Sequence, residues 1–428
     1  MKRAKKMNLR DKEGLTSFLQ KNVGNIAFLR FEVGGLEQGP LSDWDIAVKE
    51  PGRALGDCKE IFGDPWLRIP REYVVQHYYD WGQVDLLPSF EWNGYEYLDQ
   101  EKFWAGVTES PDQIPRPALG HDAYITWMTG LLWGGAFKGR YANFIQAGAL
   151  KDEVIFKESL REAFGDRLGN QLYELAAGAR AGEAVALVSE LRKALKWRRL
   201  RGDAGPTIKA LSQHWLCELK FHLNPPFPWI GVLGPDGSGK STVIDGLTER
   251  LKLSRVGLEA IHWMPQLRKE AERSIAVVTD PHGRPAKSAL LSILQLGKIV
   301  SVWWISLLKD LIHLRAKKAI VLSDRFYLDL LADPRRYRYG TSTRLAAWAF
   351  KLIPKPDKVI ILHTDAETIL GRKQEVTPDE LTRQLGAYQK IAKDWGKRAL
   401  LVDCGQEPNE VIDKLVGVVL GELKKRSR

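Results

Sequence analysis

Cysteine is scarce, with 3 in 428 residues. Cys58, Cys217 and Cys404 lie far apart and form no C-x-x-C pair. That spacing argues against a disulfide framework or a cysteine-based zinc site and points to a reducing, cytoplasmic setting. The chain also lacks any run of about 20 uncharged apolar residues, the length needed to cross a bilayer. Its most apolar segment, residues 288–314, is interrupted by Lys298, Lys309 and Asp310. It reads as a buried amphipathic helix, with a membrane-surface helix as the alternative. The amino terminus, MKRAKKMNLRDKEG, is basic but has no apolar stretch of the signal-peptide kind. Internal repeats are absent.

Acid is the minority charge: 64 Lys and Arg stand against 53 Asp and Glu, a formal +11. The excess favours anionic ligands such as nucleotides, phosphorylated metabolites, acidic membrane surfaces or nucleic acid. Part of it sits in terminal runs (Lys2, Arg3, Lys5, Lys6; Lys424, Lys425, Arg426, Arg428) that read as solvated tails. No K-x-D-G ligase nucleophile and no recognisable nucleic-acid-binding motif occurs, which counts against nucleic acid as the partner.

Three regions differ in pattern, giving an expected division at 1–115, 116–222 and 228–428. The first has an α/β texture, with strands expected at NIAFLRFEV, DWDIAVKE, REYVVQHYYDW and QVDLLPSF and a helix over 53–62. The second is rich in Ala, Leu, Glu, Lys and Arg and reads as helical. HLNPPFPW, with its three prolines, then reads as a linker. From Trp229 onward strands (WIGVLG, GLEAIHWM, AIVLSD, KVIILHT, ALLVDC) alternate with helical sequence. Such alternation predicts right-handed crossovers and a parallel sheet covered on both faces.

Between WIGVLG and the next expected helix stand Gly234, Pro235, Asp236, Gly237, Ser238, Gly239, Lys240, Ser241 and Thr242. The run fits G-x-x-x-x-G-K-[ST] in the strand-to-helix context where that pattern binds phosphate. Its glycines let successive backbone N–H groups face an anion, and the following helix adds its positive end. Lys240 is then expected at the β- and γ-phosphates of ATP, and the Ser241 hydroxyl on Mg²⁺.

The spelling G-x-D-G-x-G-K-S-T, with Asp236 inside it, resembles the thymidylate kinase family. Three further segments match in order: SDRFYLDLL, PDKVIILHTDAETILGRKQEVTPDEL and ALLVDCGQEPNEVIDKLV. The resemblance implies a P-loop kinase fold, with Asp324 near the metal and Arg325 on the acceptor phosphate. It places Arg372 and Lys373 in a lid over the transferring group and the loop after ALLVDC on adenine. It also makes a homodimer plausible. Phosphoryl transfer asks chiefly for positioning and positive charge, which Lys240, Arg325, Arg372 and Lys373 can supply.

Two departures point away from thymidylate as acceptor. Where the family carries an Arg-Glu-Pro turn, this chain has His262-Trp263-Met264-Pro265. After the Asp-Arg motif comes Asp333-Pro-Arg335-Arg336-Tyr337-Arg338-Tyr339-Gly340, which the family does not explain. Its arginines suit a phosphate- or carboxylate-bearing acceptor, because guanidinium forks grip such oxygens in pairs.

In the first region Asp43 and Asp45 share one face of an expected strand and Asp85 lies on another. This D-x-D pattern resembles the nucleotidyltransferase fold, in which such carboxylates hold Mg²⁺. The family's Gly-Gly or Gly-Ser turn stands about ten residues before D-x-D, whereas Gly34-Gly35 lies closer. An active transferase, a binding module without catalysis and a chance match all remain open.

The expected architecture is therefore an α/β P-loop kinase domain with a parallel sheet, preceded by an α+β nucleotidyltransferase-like domain and a helical region. The expected function is ATP- and Mg²⁺-dependent phosphoryl transfer to a small phosphorylated acceptor, a nucleoside monophosphate or sugar phosphate. The alternatives are a nucleic-acid end-modifying enzyme and a P-loop ATPase switch acting through a partner.

Overall fold

The structure, a computed structural model, describes residues 9–30, 43–79, 82–109, 114–252, 257–262, 285–317, 319–372 and 376–426. The chain divides into two compact units, residues 2–219 and 220–428.

The first unit opens with helix α1 (Leu9–Lys21) and strands β1 (Ile26–Phe28) and β2 (Asp43–Val48). Helix α2 (Pro51–Phe62) follows, then β3 (Leu67–Pro70), β4 (Val75–Tyr79) and β5 (Gly82–Leu87). The sheet order is β1-β2-β5-β4-β3, and only β2 and β5 run parallel. Neither α1 nor β3 was expected, and NIAFLRFEV is a strand only over 26–28, its residues from 31 lying outside the described ones.

Alternate strand residues face opposite ways. On one side Phe28, Trp44 and Ile46 pack with Leu15 and Phe18 of α1 and Ala54 and Cys58 of α2. On the other, Ala27, Leu29 and Ala47 join a large core with Trp127, Phe156, Leu160 and Leu191. Those residues come from α3 (Leu119–Met128), α4 (Glu153–Phe164) and α5 (Val188–Gly202), all in the expected helical region. The boundary expected at 115/116 therefore separates elements that share one core.

Among the described residues the second unit has five parallel strands: β6 (Trp229–Leu233), β7 (Gly257–His262), β8 (Ala319–Asp324), β9 (Lys358–His363) and β10 (Ala399–Asp403). Their order is β7-β8-β6-β9-β10. Trp229, Leu233, Val321, Val359 and Ile361 face one core, while Ile230, Val232, Leu322 and Ile360 are buried on the other face. Burial on both faces is why these strands read as nearly unbroken apolar runs.

The crossover from β7 to β8 includes helix α6 (Ala289–Ser306). Here the expected buried amphipathic helix needs correction. Ser292, Leu296, Ile299, Trp303 and Ser306 are buried, but Leu290, Leu291, Ile293, Leu294 and Trp304 are exposed. The helix is apolar on its solvent side as well. Its anchor is Trp303, stacked on Trp229 with centroids 5.4 Å apart and edge-on to Phe326 at 5.2 Å.

This packing sets an expectation for two neighbouring tryptophans. Trp303→Ala should destabilise the 220–428 unit by about 3–5 kcal/mol, the usual cost of emptying a large aromatic site. Trp304→Ala removes an exposed ring and one hydrogen bond to Leu352 O, and should cost about 1 kcal/mol. Urea unfolding followed by circular dichroism measures both; equal losses would mean that Trp303 is not the anchor.

Candidate active site

Strand β6 ends at Leu233 and helix α7 (Lys240–Lys252) begins seven residues later. The chain between them curls through positive φ at Gly234 (146°), Gly237 (86°) and Gly239 (85°), a region that disfavours side chains. A Cβ at Gly234 would lie 2.6 Å from Leu362 O and 2.7 Å from Ser238 Oγ, so glycine is also sterically required there. Ser238 Oγ is buried with no hydrogen-bond partner among the described residues. Ser241 and Thr242 are exposed in the first turn of α7.

Lys240 is buried and folds back over the loop, donating to Gly234 O and Pro235 O at 2.8 Å each. Its ammonium lies 3.7 Å from Asp236 Oδ1. Burial, with the Arg325 charge adding to it, pushes its pKa down to about 8.

Asp236 is the meeting point of the site. One carboxylate oxygen accepts from Arg325 Nη2 and the other from Arg336 Nη1. Arg325 follows Asp324, the last residue of β8, whose register partner on β6 is Val232. The Arg325 N–H continues that pairing to Val232 O at 2.9 Å. Its φ of 73° is unusual for a residue with a side chain and turns the guanidinium toward the loop. Behind it, fully buried Asp329 sits 3.9 Å from Arg325 Nη1. Asp329 accepts from Phe326 N at 3.0 Å and from the Tyr388 hydroxyl. Burial pushes the Asp329 pKa up, against the pull of Arg325.

Other expected residues stand apart from this cluster. Arg335 is exposed, 3.7 Å from Glu380, and Arg338 Nε donates to Pro285 O at 3.0 Å. Arg372 donates to Cys404 O at 3.3 and 3.4 Å. Lys373 lies outside the described residues, as do Trp263, Met264 and Pro265. Asp329 and Tyr388 were not singled out in the sequence. A buried Asp within SDRFYLDLL carries no local mark that separates it from a helix-capping one.

In the first unit, parallel pairing sets Asp45 directly beside Asp85. Asp45 is ion-paired with Arg30, whose backbone N–H donates to Asp122 Oδ2 at 2.7 Å. Asp85 accepts from Gln76 Nε2 at 3.1 Å and Gln83 Nε2 at 2.7 Å. Asp43 opens β2 two residues before Asp45. Among the described residues no group of three or more His, Cys, Asp or Glu side chains is placed to hold a metal ion. Gly34 and Gly35 lie outside the described residues.

No protein-family model matches this chain. Over 202 residues it is 23% identical to the probable thymidylate kinase of Methanocorpusculum labreanum, a match covering 43% of this chain and 93% of that protein. This distant likeness supports a thymidylate kinase-like kinase, and the all-parallel sheet of the second unit is compatible with an α/β kinase fold.

The buried Lys240 makes a pH test possible. Its folded pKa of about 8 lies below the ordinary 10.5. The unfolded chain therefore binds more protons between those values, and stability rises with pH across that window. The penalty is complete below about pH 8 and relieved toward 10.5. Relative to Lys240→Met, the native chain should gain up to about 3 kcal/mol over that range. Urea unfolding of both chains at each pH measures the difference; a constant difference would mean that the ammonium is solvated.

Proposed function

We propose that the 220–428 unit transfers the γ-phosphoryl group of ATP to a small phosphorylated acceptor, a nucleoside monophosphate or sugar phosphate. The observation that carries the proposal is the convergence of Lys240, Arg325 and Arg336 on one carboxylate, Asp236, beside a glycine loop at a helix start. Three cations converging on one displaceable carboxylate suit a more highly charged anion in its place.

The residues present fit ATP and Mg²⁺. The positive-φ glycines leave the loop backbone bare, Ser238 Oγ is an unused buried donor, and Ser241 is exposed at the first turn of α7. Mg²⁺, held through Ser241 and Asp324, would supply neutralising charge and orientation to the phosphates. Lys240 releases the Gly234 and Pro235 carbonyls to bind the triphosphate. Arg325 and Arg336 release Asp236 to hold the acceptor phosphate. An acceptor oxygen attacks the γ-phosphorus, the bond to the β-bridging oxygen breaks, and ADP leaves with that electron pair. Arg372, at the end of α8 (Ala366–Arg372), belongs with Lys373 to the proposed lid.

For the 2–219 unit, the Arg30–Asp45 pair favours a binding module over an active transferase. A metal at Asp45 must displace a guanidinium already bound there.

Incubation with γ-labelled ATP and a panel of nucleotide and sugar-phosphate acceptors tests the main proposal, with labelled acceptor as the expected product. Labelled free phosphate alone would indicate an ATPase switch instead. Lys240→Ala should abolish ATP binding in calorimetry. Arg336→Ala should leave ATP binding intact and weaken the acceptor about tenfold to hundredfold, the worth of one charge-assisted contact. A matching loss of ATP affinity would overturn that division of roles. In the Lys240→Ala background, Arg30→Ala should tighten Mn²⁺ binding by about tenfold, the effect of removing roughly 1.4 kcal/mol of competing charge. Unchanged Mn²⁺ binding would mean that Asp45 is no ligand.

A further inference from the structure

By length and composition α6 could cross a membrane, with a mean hydropathy of 1.5 over its 18 residues. Its packing excludes that role: the stripe Ser292, Leu296, Ile299, Trp303 and Ser306 is committed to the core of the unit. Moving two residues along a helix turns about 200° around it. Leu290 and Leu294, two positions before Ser292 and Leu296, and Ile305, two positions after Trp303, therefore lie on the opposite face. Leu290 is 68% exposed, Leu294 62% and Leu308, just past the helix, 69%.

A second element extends this face. Helix α9 (Thr343–Ala349) carries Trp348, 57% exposed, and the turn after it carries exposed Leu352. Trp304 Nε1 donates to Leu352 O at 2.7 Å, so the two apolar surfaces adjoin. Large contiguous apolar patches of this kind mark interaction sites rather than ordinary surface.

Charge identifies what covers the patch. Residues 285–308 and 334–356, which build it, contain no Asp or Glu. Lys298, Arg344, Lys351 and Lys355 are all exposed on these elements. Apolar residues with tryptophans, flanked on the same elements by these exposed basic side chains, match the boundary of an anionic bilayer, where rings sit at headgroup level and Lys or Arg meets phosphate. A second copy of this chain fits less well, since an isologous contact would bring two sets of basic side chains together.

We propose that this face, α6 with α9 and the turn at Leu352, docks the protein peripherally on an anionic lipid surface. The proposal stands independently of the phosphotransferase reading, although the two regions are joined. The loop that sends Arg336 to Asp236 also pairs Arg338 O with Lys287 N at 2.9 Å and Gly340 N with Ser292 Oγ at 3.0 Å, at the start of α6.

The test is flotation of the full chain with vesicles of phosphatidylcholine, with and without phosphatidylglycerol. The chain is expected to float with the anionic vesicles and to be released by salt. Leu294→Glu with Leu308→Glu, both at exposed positions, should weaken binding at least tenfold through lost apolar burial. Lys351→Ala and Lys355→Ala should each weaken it about fivefold, from roughly 1 kcal/mol per basic residue. Circular dichroism checks that each variant is folded, and the lysine variants keep the test decisive if the glutamates disturb α6. No flotation, or flotation that neither set of variants weakens, would overturn the proposal. So would sedimentation showing a dimer that Leu294→Glu dissociates, with no vesicle binding.

Discussion

The carboxylate of Asp236 holds the second unit's site together. Lys240 and Arg325 are both buried, and buried cations of like sign close together are costly unless an anion lies between them. Asp236 supplies that anion to both, and to Arg336, from within the loop that a phosphate would occupy. Asp329 backs Arg325 from the opposite side. Without Asp236, Lys240 would lose the nearest of the carboxylates that offset the Arg325 charge, leaving Asp329 and Asp324, and the pressure already visible in its lowered pKa would increase.

The parallel sheet makes that convergence possible. Asp236 and Lys240 follow β6 and Arg325 follows β8, and these strands are hydrogen-bonded neighbours running the same way. Their carboxyl ends therefore open at one edge, where ligands of open α/β sheets bind. Gly234 is pressed against Leu362 O of neighbouring β9, so the loop cannot drift outward with a side chain in that position. The segments carrying Asp236, Lys240 and Arg325 thus meet through strand pairing, while Arg336 is brought in by a loop.

Much of this was legible in the residues. The strands of the second unit were recognisable because apolar runs bounded by Gly, Asp and Pro leave little ambiguity about a doubly covered sheet. The loop spelling identified Lys240 and its glycines. Other features could not be read. That Arg336 and not Arg335 or Arg338 turns toward Asp236 depends on the path of a loop, which spacing does not encode. Arg30 escaped notice because its partner, Asp45, is drawn to it by tertiary contact, its backbone being fixed by Asp122 from 92 positions away. The boundary at 115/116 followed a change in composition, yet composition does not report that Ala47 on a strand and Leu160 on a helix bury the same core. For α6, hydropathy measured how apolar the helix is and not that half of that surface stays in water.

Both units hold their most reactive-looking charges in internal ion pairs, but the consequences differ with sign. In the second unit a carboxylate of one negative charge occupies several cations. A phosphate group carries a charge nearer −2 and more acceptor oxygens, so exchanging Asp236 for phosphate increases the number of charge-assisted contacts to the same guanidinium groups. The resting pair is an equal cost to every incoming anion, so any preference for multiply charged ones comes from the extra contacts they make with the released guanidinium groups. In the first unit the order is reversed: the guanidinium of Arg30 sits on Asp45, and a divalent cation must compete with a pair already satisfied in partly buried surroundings. The neighbouring carboxylate of Asp85 accepts from two neutral amides, those of Gln76 and Gln83. Hard cations draw their affinity from several oxygens at once, and among the described residues no group of three or more acidic, His or Cys side chains is gathered there. The same device, an internal counter-ion, thus occupies the cations of one unit and the Asp45 carboxylate of the other, and any ligand of either must displace it.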